Sequence, residues 1–439
     1  MNDKIPTGRL SRTLSTGKVA AKMGTNQVRY LMKRPFLSEK GQQTSKEALN
    51  AENAKALFKG LSLLRGTALK AAQMLSFERE LLPKAFQQEL TKSYAQVPPI
   101  NRALIRKLII NGLGAPPETL YRQFDTTAFA AASLGQVHRA VSKDGRALAV
   151  KVQYPDMHKT IDNDMRLLHA LVRPLAEYHL IKTALDEIRQ VLLLETDYTK
   201  EAEHIDYFRD RLNMDNVHIP EVLPDLCSDR ILTMSFMEGR MLDQWLKTRP
   251  DQSARNRVAQ TLNDIFIRGF YGLNIIHADP NPGNFLVMDM EPDHPGLGLL
   301  DFGCVRRVRA DFVSHYARLI RLGGSGDRDA YWALLVRLGL LPQDLEPAVR
   351  DEALDMFMEM GAWINQLFRH EYFDFGACPD FMARGRELGR HMQRLRRLMK
   401  SFPPEFVFID RTRYGLLRLY EQMGVKIRLR NTYEYNDVL

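Results

Sequence analysis

Cysteine is scarce in this 439-residue sequence: Cys227, Cys304 and Cys378 lie far apart and form no disulfide or metal-binding spacing. A disulfide framework and a zinc module are therefore excluded, and a reducing compartment is the simple reading. Long apolar runs are missing too, since nothing approaches the ~18 residues of a membrane span. The start, MNDKIPTGRL, has no apolar core of the signal-peptide kind. The expectation is a cytoplasmic protein, or one peripheral to the inner face of a membrane. No internal repeat or low-complexity segment is present. What is present is ordinary globular material, 45% apolar and 26% charged, in a chain long enough for two or three packed units.

Acidic residues are nearly absent from the first forty positions. Lys4, Arg9, Arg12, Lys18, Lys22, Arg29, Lys33, Arg34 and Lys40 stand against only Asp3 and Glu39, in a chain of net charge +9. A second basic run, Arg384 to Lys400, carries Leu388, Met392, Leu395 and Met399 at helical spacing. Either run suits an anionic lipid surface, and either suits a plain solvated arm or an ordinary surface helix. No aromatic stacking platform accompanies them, so no nucleic-acid partner is expected.

The pattern predicts α+β architecture with segregated lobes. Residues 1–50 read as a basic N-terminal arm. Residues 51–124 read as a helical extension, with Leu57, Leu61, Leu64, Ala68 and Leu75 on one stripe and a break at Gly112-Leu113-Gly114-Ala115-Pro116-Pro117. Residues 125–237 read as a small β-rich lobe with a helical insertion running from about Pro155 to Phe208. Residues 238–439 read as a helical large lobe with a C-terminal tail.

Three stretches carry chemistry. In FAAASLGQVHRAVSKDGRALAVKVQYP (129–155), Val137, Arg139 and Val141 alternate, Asp144-Gly145 supplies a turn, and Ala147, Ala149 and Lys151 resume the alternation. A loop, a hairpin and a strand lysine form the phosphate corner of a kinase small lobe. Here Ala130, Ala131, Ala132 and Ser133 stand where glycines are expected. They keep amide donors but add β-carbons, so a stiffer loop with an altered grip on the terminal phosphate is predicted. HADPNPGN (277–284) fits the His-x-Asp, four residues, Asn form of a kinase catalytic loop, and LLDFG follows with Asp301 after an apolar strand. Phosphoryl transfer needs a divalent metal on oxygen ligands, for which Asn284 and Asp301 serve, while Asp279 orients the attacking oxygen and takes its proton. A second Asp-Phe-Gly, at Asp374 to Gly376, has no strand leading into it and reads as chance or structural. The acidic helix LLLETDYTKEAEHIDYF offers Glu195, Asp197, Glu201 and Glu203 as partners for Lys151, with Asp197 and Glu201 on one face. In MSFMEG (234–239), Met234 would guard the back of the pocket and the Met237 backbone would bond adenine, unless this is a plain core strand.

In order, AAASLGQVH, AVKVQYP, the Glu-x-Asp helix, HADPNPGN and LLDFG resemble the UbiB-like (AarF/ABC1-type) family of atypical protein-kinase-like proteins. ALKAAQMLS (68–76) resembles the family's Lys-x-Gly-Gln signature, with Ala72 replacing its glycine. The resemblance implies a bilobal protein-kinase-like fold and a role, with ATP and Mg2+, in isoprenoid quinone (ubiquinone) biosynthesis. It implies that Lys70 and Gln73 lie on a helix that folds over the site, and that Glu195 and Asp197 meet that helix. It also implies that Glu201 pairs with Lys151. From the residues alone, Lys70 and Gln73 read as solvent-facing, opposite the leucine stripe.

Three functions stay open at this point. The first is an ATPase supporting quinone biosynthesis; the second is a small-molecule or lipid kinase; the third is a nucleotide-gated, non-catalytic scaffold or lipid-binding module. An anionic membrane surface or an isoprenoid lipid is the expected partner, together with quinone-biosynthesis proteins.

Overall fold

The computed structural model describes residues 24–26, 28–30, 32–64, 67, 70–71, 101–132, 134–173, 178–291, 294–392, 395 and 404–435. Gln73, Ala72, Leu75, Ser133 and Met399 lie outside the described residues. The chain forms two compact units, one of residues 1–200 with 222–236, the other of residues 201–221 with 237–439.

In the first unit, α1 spans Glu39–Leu64 and α2 spans Arg102–Leu113. α1 starts well before Ala51, where the sequence pattern predicts the helical extension to begin. Residues 39–50 are polar and show no periodicity, yet they are helical, entered where Ser38 Oγ accepts the Gly41 N–H at 3.3 Å. The arm does not end in free chain either. Asn26 is buried and donates from Nδ2 to Asn53 Oδ1 on α1 at 3.1 Å. α2 opens with Asn101 Oδ1 accepting the Leu104 N–H at 2.8 Å and closes on Gly114 in the left-handed region, φ 76°.

The sheet follows: β1 (Gln123–Ala132), β2 (Gly135–Val141) and β3 (Ala147–Gln153). Next come α3 (Met157–Val172), α4 (Tyr178–Leu194) and α5 (Tyr198–Arg211), the last continuing into the second unit. β4 (Ile231–Ser235) completes an antiparallel sheet ordered β1-β2-β3-β4. The Lys143-to-Arg146 turn is where the alternation put it, with Gly145 at φ 92°. Because side chains alternate faces, Leu148, Val150 and Val152 of β3 join Ala140 against Ile105 and Ile109 of α2 in a closed core. The opposite face is left to Ala149 and Lys151.

The alanines correct one expectation. Ala130, Ala131 and Ala132 are not a loop. They are the end of β1, in register with Val137, Gln136 and Gly135. Glycine leaves a ladder readily because it populates φ > 0, whereas alanine gains nothing there. Glycine is required one turn on: a Cβ on Gly135 would lie 2.3 Å from the Val152 carbonyl oxygen.

The second unit carries α6 (Leu242–Lys247), α7 (Gln252–Ile267) and a π-helical turn at Arg268–Gly272. β5 (Ile275–His277) pairs with β8 (Val305–Arg307), and β6 (Phe285–Glu291) forms a hairpin with β7 (His294–Leu299). Val217–His218 and Arg240–Met241 extend that hairpin on either side. The helices α8 (Ala310–Leu322), α9 (Arg328–Arg337), α10 (Pro347–Asn365), α11 (Phe381–Met392) and α12 (Pro404–Met423) follow. α11 begins the second basic run and packs as an ordinary surface helix. Leu388 is buried, and Arg384 is ion-paired with Glu359 and Glu387 at 2.5 and 2.9 Å. The second Asp-Phe-Gly is structural: Phe373–Asp374 pairs with Lys426–Ile427, Phe375 is buried, and Asp374 Oδ1 accepts the Ala377 N–H.

Candidate active site

The lysine half belongs to the first unit. Lys151 faces Val137 across the β2–β3 ladder, and Ala149 faces Arg139 on one side and Met234 on the other. Opposed residues of an antiparallel pair share a face. Val137, Ala149, Lys151 and Met234 therefore line the face of the sheet turned away from α2. Lys151 is 6% exposed, and its Nζ stands 4.9 Å from the centroid of the Tyr198 ring. An ammonium this well enclosed is favoured by that ring and by any anion placed beside it. Met237 lies just past β4, in the connector that opens the second unit.

The signature helix is represented by Thr67, Lys70 and Ala71. Lys70 Nζ pairs with Glu195 Oε2, and Thr67 Oγ1 donates to Asp164 Oδ2 on α3. Lys70 is thus turned inward, against the reading from the leucine stripe alone and in line with the resemblance. The acidic helix is also corrected. It is not continuous, because α4 stops at Leu194 and α5 starts at Tyr198. Glu195 sits in the break, free to turn toward Lys70. Asp197 is the cap of α5: its Oδ1 accepts the Thr199 N–H at 3.2 Å, and its other oxygen lies 3.6 Å from Lys200 Nζ. Asp197 and Glu201 therefore do not lie on one straight helix face. An aspartate ahead of helix-forming residues is the signal that could have located this break.

The acidic half belongs to the second unit. The loop from His277 to Asn284 joins β5 to β6, and Asp301-Phe302-Gly303 joins β7 to β8. The two loops are tied together. The Ala278 N–H donates to the Cys304 carbonyl at 2.8 Å, the Leu300 N–H donates to the Asn284 carbonyl at 3.1 Å, and His277 Nε2 donates to the Asp301 carbonyl at 2.5 Å. Phe302 is buried edge-on to both Phe208 and His277. His204 of α5 donates from Nδ1 to the Phe302 carbonyl at 3.2 Å, and burial pushes its imidazole below the ordinary value. Glu201, one turn earlier and buried, accepts the Phe302 N–H at 3.4 Å.

Within this frame Asp279 and Asn284 meet. Asn284 Nδ2 donates to Asp279 Oδ2 at 2.9 Å and to the Asp279 carbonyl at 3.1 Å. With Nδ2 so engaged, Oδ1 is the Asn284 side-chain atom that could serve a cation. Asp301 Oδ1 accepts the Gly303 N–H at 2.9 Å, which fixes that carboxylate. Hard oxygen donors of this number fit magnesium, which takes one or two protein side chains and completes its shell with phosphates and water. One contributor went unread in the sequence: Arg411 Nη2 of α12 lies 3.6 Å from Asp279 Oδ1. An arginine on a helix reads as solvated face, and nothing local announces such a partner.

The sequence profile of the ABC1 atypical kinase-like domain matches residues 92–332. The chain belongs to the ABC1 atypical kinase-like family. It is similar to the atypical kinase COQ8, mitochondrial, of Saccharomyces cerevisiae, at 28% identity over 438 residues, covering 97% of this chain and 84% of that one. The probable serine/threonine-protein kinase abkA of Dictyostelium discoideum is 29% identical over 387 residues, covering 84% of this chain and 68% of that one. The atypical kinase COQ8B, mitochondrial, of Rattus norvegicus is 31% identical over 332 residues, so the chain spans 62% of that relative's length. Among solved structures, the Rv3197–erythromycin complex from Mycobacterium tuberculosis superposes with a TM-score of 0.59 over 88% of this chain and 96% of that one. At 21% identity that likeness shows the kinase-like fold. The family membership makes this an enzyme of the atypical kinase type, one that uses ATP. No helix among the described residues is long and apolar enough to cross a membrane.

Proposed function

We propose that the chain is a magnesium-dependent ATPase of the kinase-like class that supports isoprenoid quinone (ubiquinone) biosynthesis. The observation that carries this is the intact acidic half: Asp279 is held by Asn284, with Asp301 fixed in the loop tied to theirs. Bound magnesium would offset triphosphate charge, and Asn284 and Asp301 would hold it. Asp279 takes the proton of the attacking oxygen, and Lys151 neutralises phosphate charge. Lys70 paired with Glu195 supports water rather than a protein side chain as acceptor, since in the resembled family this helix closes the protein-substrate groove. The test is quinone content in a strain lacking this chain. The parent sequence should restore it and Asp279→Asn should not. Full restoration by Asp279→Asn would favour the scaffold reading, and label from ATP recovered in an extracted lipid would favour the lipid kinase.

We further propose that the partner surface is an anionic bilayer and that residues 28–36 dock on it. Val28, Met32 and Phe36 are 56%, 71% and 88% exposed and recur every fourth residue, with Arg29, Lys33 and Arg34 exposed around them. Asn26 anchors the segment on α1 from the other side. An apolar stripe flanked by cations matches a negatively charged interface. Vesicles containing phosphatidylserine should bind the full chain and lose it at high salt. Phe36→Ser should weaken binding about tenfold, the size expected for withdrawing one buried aromatic side chain. Equal binding to neutral vesicles, or an unaltered Phe36→Ser, would remove the docking assignment.

A further inference from the structure

The kinase catalytic loop ordinarily reads His-Arg-Asp, with an arginine directly before the catalytic aspartate. Here that place holds Ala278, which is fully buried. The loop itself, from His277 to Asn284, contains no lysine or arginine. A guanidinium nevertheless reaches the aspartate from far along the chain: Arg411 Nη2 is 3.6 Å from Asp279 Oδ1, with the two side chains 23% and 25% exposed.

The helix that brings it is seated on the loop. A Cβ on Gly415 would lie 2.3 Å from Pro280 Cγ, so α12 approaches the loop as closely as glycine permits. Thr412 and Leu416 line a cavity of about 20 Å³ together with His277, Pro280 and Phe285. Arg411, Thr412, Gly415 and Leu416 are one turn apart in pairs and form a single face toward the loop.

We propose that Arg411 is a positioning residue for Asp279, reaching it from α12 across a catalytic loop that has no arginine of its own. The inference rests on the reading of Asp279 as the base. Asn284 holds Oδ2 by a hydrogen bond, and Arg411 holds Oδ1 by charge. At 3.6 Å the contact is too long to be a hydrogen bond, so Oδ1 keeps its lone pairs for the proton of the attacking oxygen. Removing Arg411 leaves one of the two oxygens unheld and the carboxylate free to rotate away from the in-line position.

The test uses the full chain and steady-state hydrolysis of magnesium ATP by the parent, Arg411→Ala, Arg411→Lys and Asp279→Asn. Arg411→Ala should lower kcat about 10–100-fold, the cost of a misplaced catalytic group, with KM for ATP within about twofold of the parent. Arg411→Lys should recover part of the loss. Millimolar guanidinium should partly restore Arg411→Ala and leave the parent and Asp279→Asn unchanged. Parental kcat in Arg411→Ala beside an inactive Asp279→Asn would overturn the inference and leave the reading of Asp279 standing. Lost activity with no rescue by lysine or guanidinium, together with a lowered melting temperature, would reduce Arg411 to a structural role and also overturn it. Parental activity in Asp279→Asn would remove the reading of the base and this inference with it.

Discussion

Asp279→Asn should lower kcat for magnesium-dependent ATP hydrolysis about 10²–10⁴-fold, the usual span for loss of a general base. The substitution is nearly isosteric, and an asparagine carbonyl can still accept from Asn284 Nδ2, which now meets Asp279 Oδ2 at 2.9 Å. What is lost is the negative charge and the ability to take a proton. The fold should persist, because His277, Ala278 and Leu300 tie the two loops together through backbone groups that the variant leaves alone. Melting temperature should therefore stay within a few degrees of the parent while phosphate release collapses. Phosphate release by the variant at the parental rate would remove Asp279 from the chemistry. It would also return the chain to the nucleotide-gated scaffold.

The parts of this fold legible in the sequence are those with local causes. Asp144-Gly145 fixes a turn, alternation fixes the strands around it, and Lys151 then falls on the face away from the core by parity alone. The two loops that carry Asp279, Asn284 and Asp301 were legible because each is a short local pattern, one of fixed His-x-Asp and Asn spacing and one an Asp-Phe-Gly behind an apolar strand. Features with distant causes were not legible. Residues 39–50 are helical although their polar sequence has no stripe, since an exposed helix face needs none. The break at 195–197 carries no glycine or proline, and its one sequence signal is Asp197 ahead of helix-forming residues, a cap that an acidic stretch disguises. Lys70 lies opposite the leucine stripe, so its turn toward Glu195 follows from tertiary pairing alone. The same holds for Arg411, and for its neighbour two residues on.

That neighbour, Arg413, and Glu434 form a buried ion pair whose disruption should be the most destabilising single change in the second unit. Arg413 is 7% exposed and Glu434 1%. The guanidinium grips the carboxylate through both Nη atoms, at 2.7 Å for Nη2 to Oε2. Tyr271 of the π-helical turn donates to Oε1 at 2.5 Å and Asn431 Nδ2 donates to Oε2 at 2.9 Å. Every oxygen of the carboxylate is thus satisfied, which is what makes the burial tolerable. Glu434→Ala strands Arg413 in that interior and should cost about 3–5 kcal/mol. The double variant Arg413→Met with Glu434→Met removes both charges and should recover most of the loss. Acid should act in the same direction. Burial raises the Glu434 carboxyl, but the Arg413 charge and the surrounding donors outweigh it and hold it below the ordinary value. A depressed folded-state pKa gives stability that is complete above the unfolded value, about 4.3, and drains away as pH falls below it. The denaturant midpoint of the parent should therefore fall as pH drops below about 4.3, and Glu434→Gln should flatten that dependence. A Glu434→Ala chain that melts with the parent, or a double variant no better than the single, would show that the tail is held by its apolar contacts and that the pair adds nothing.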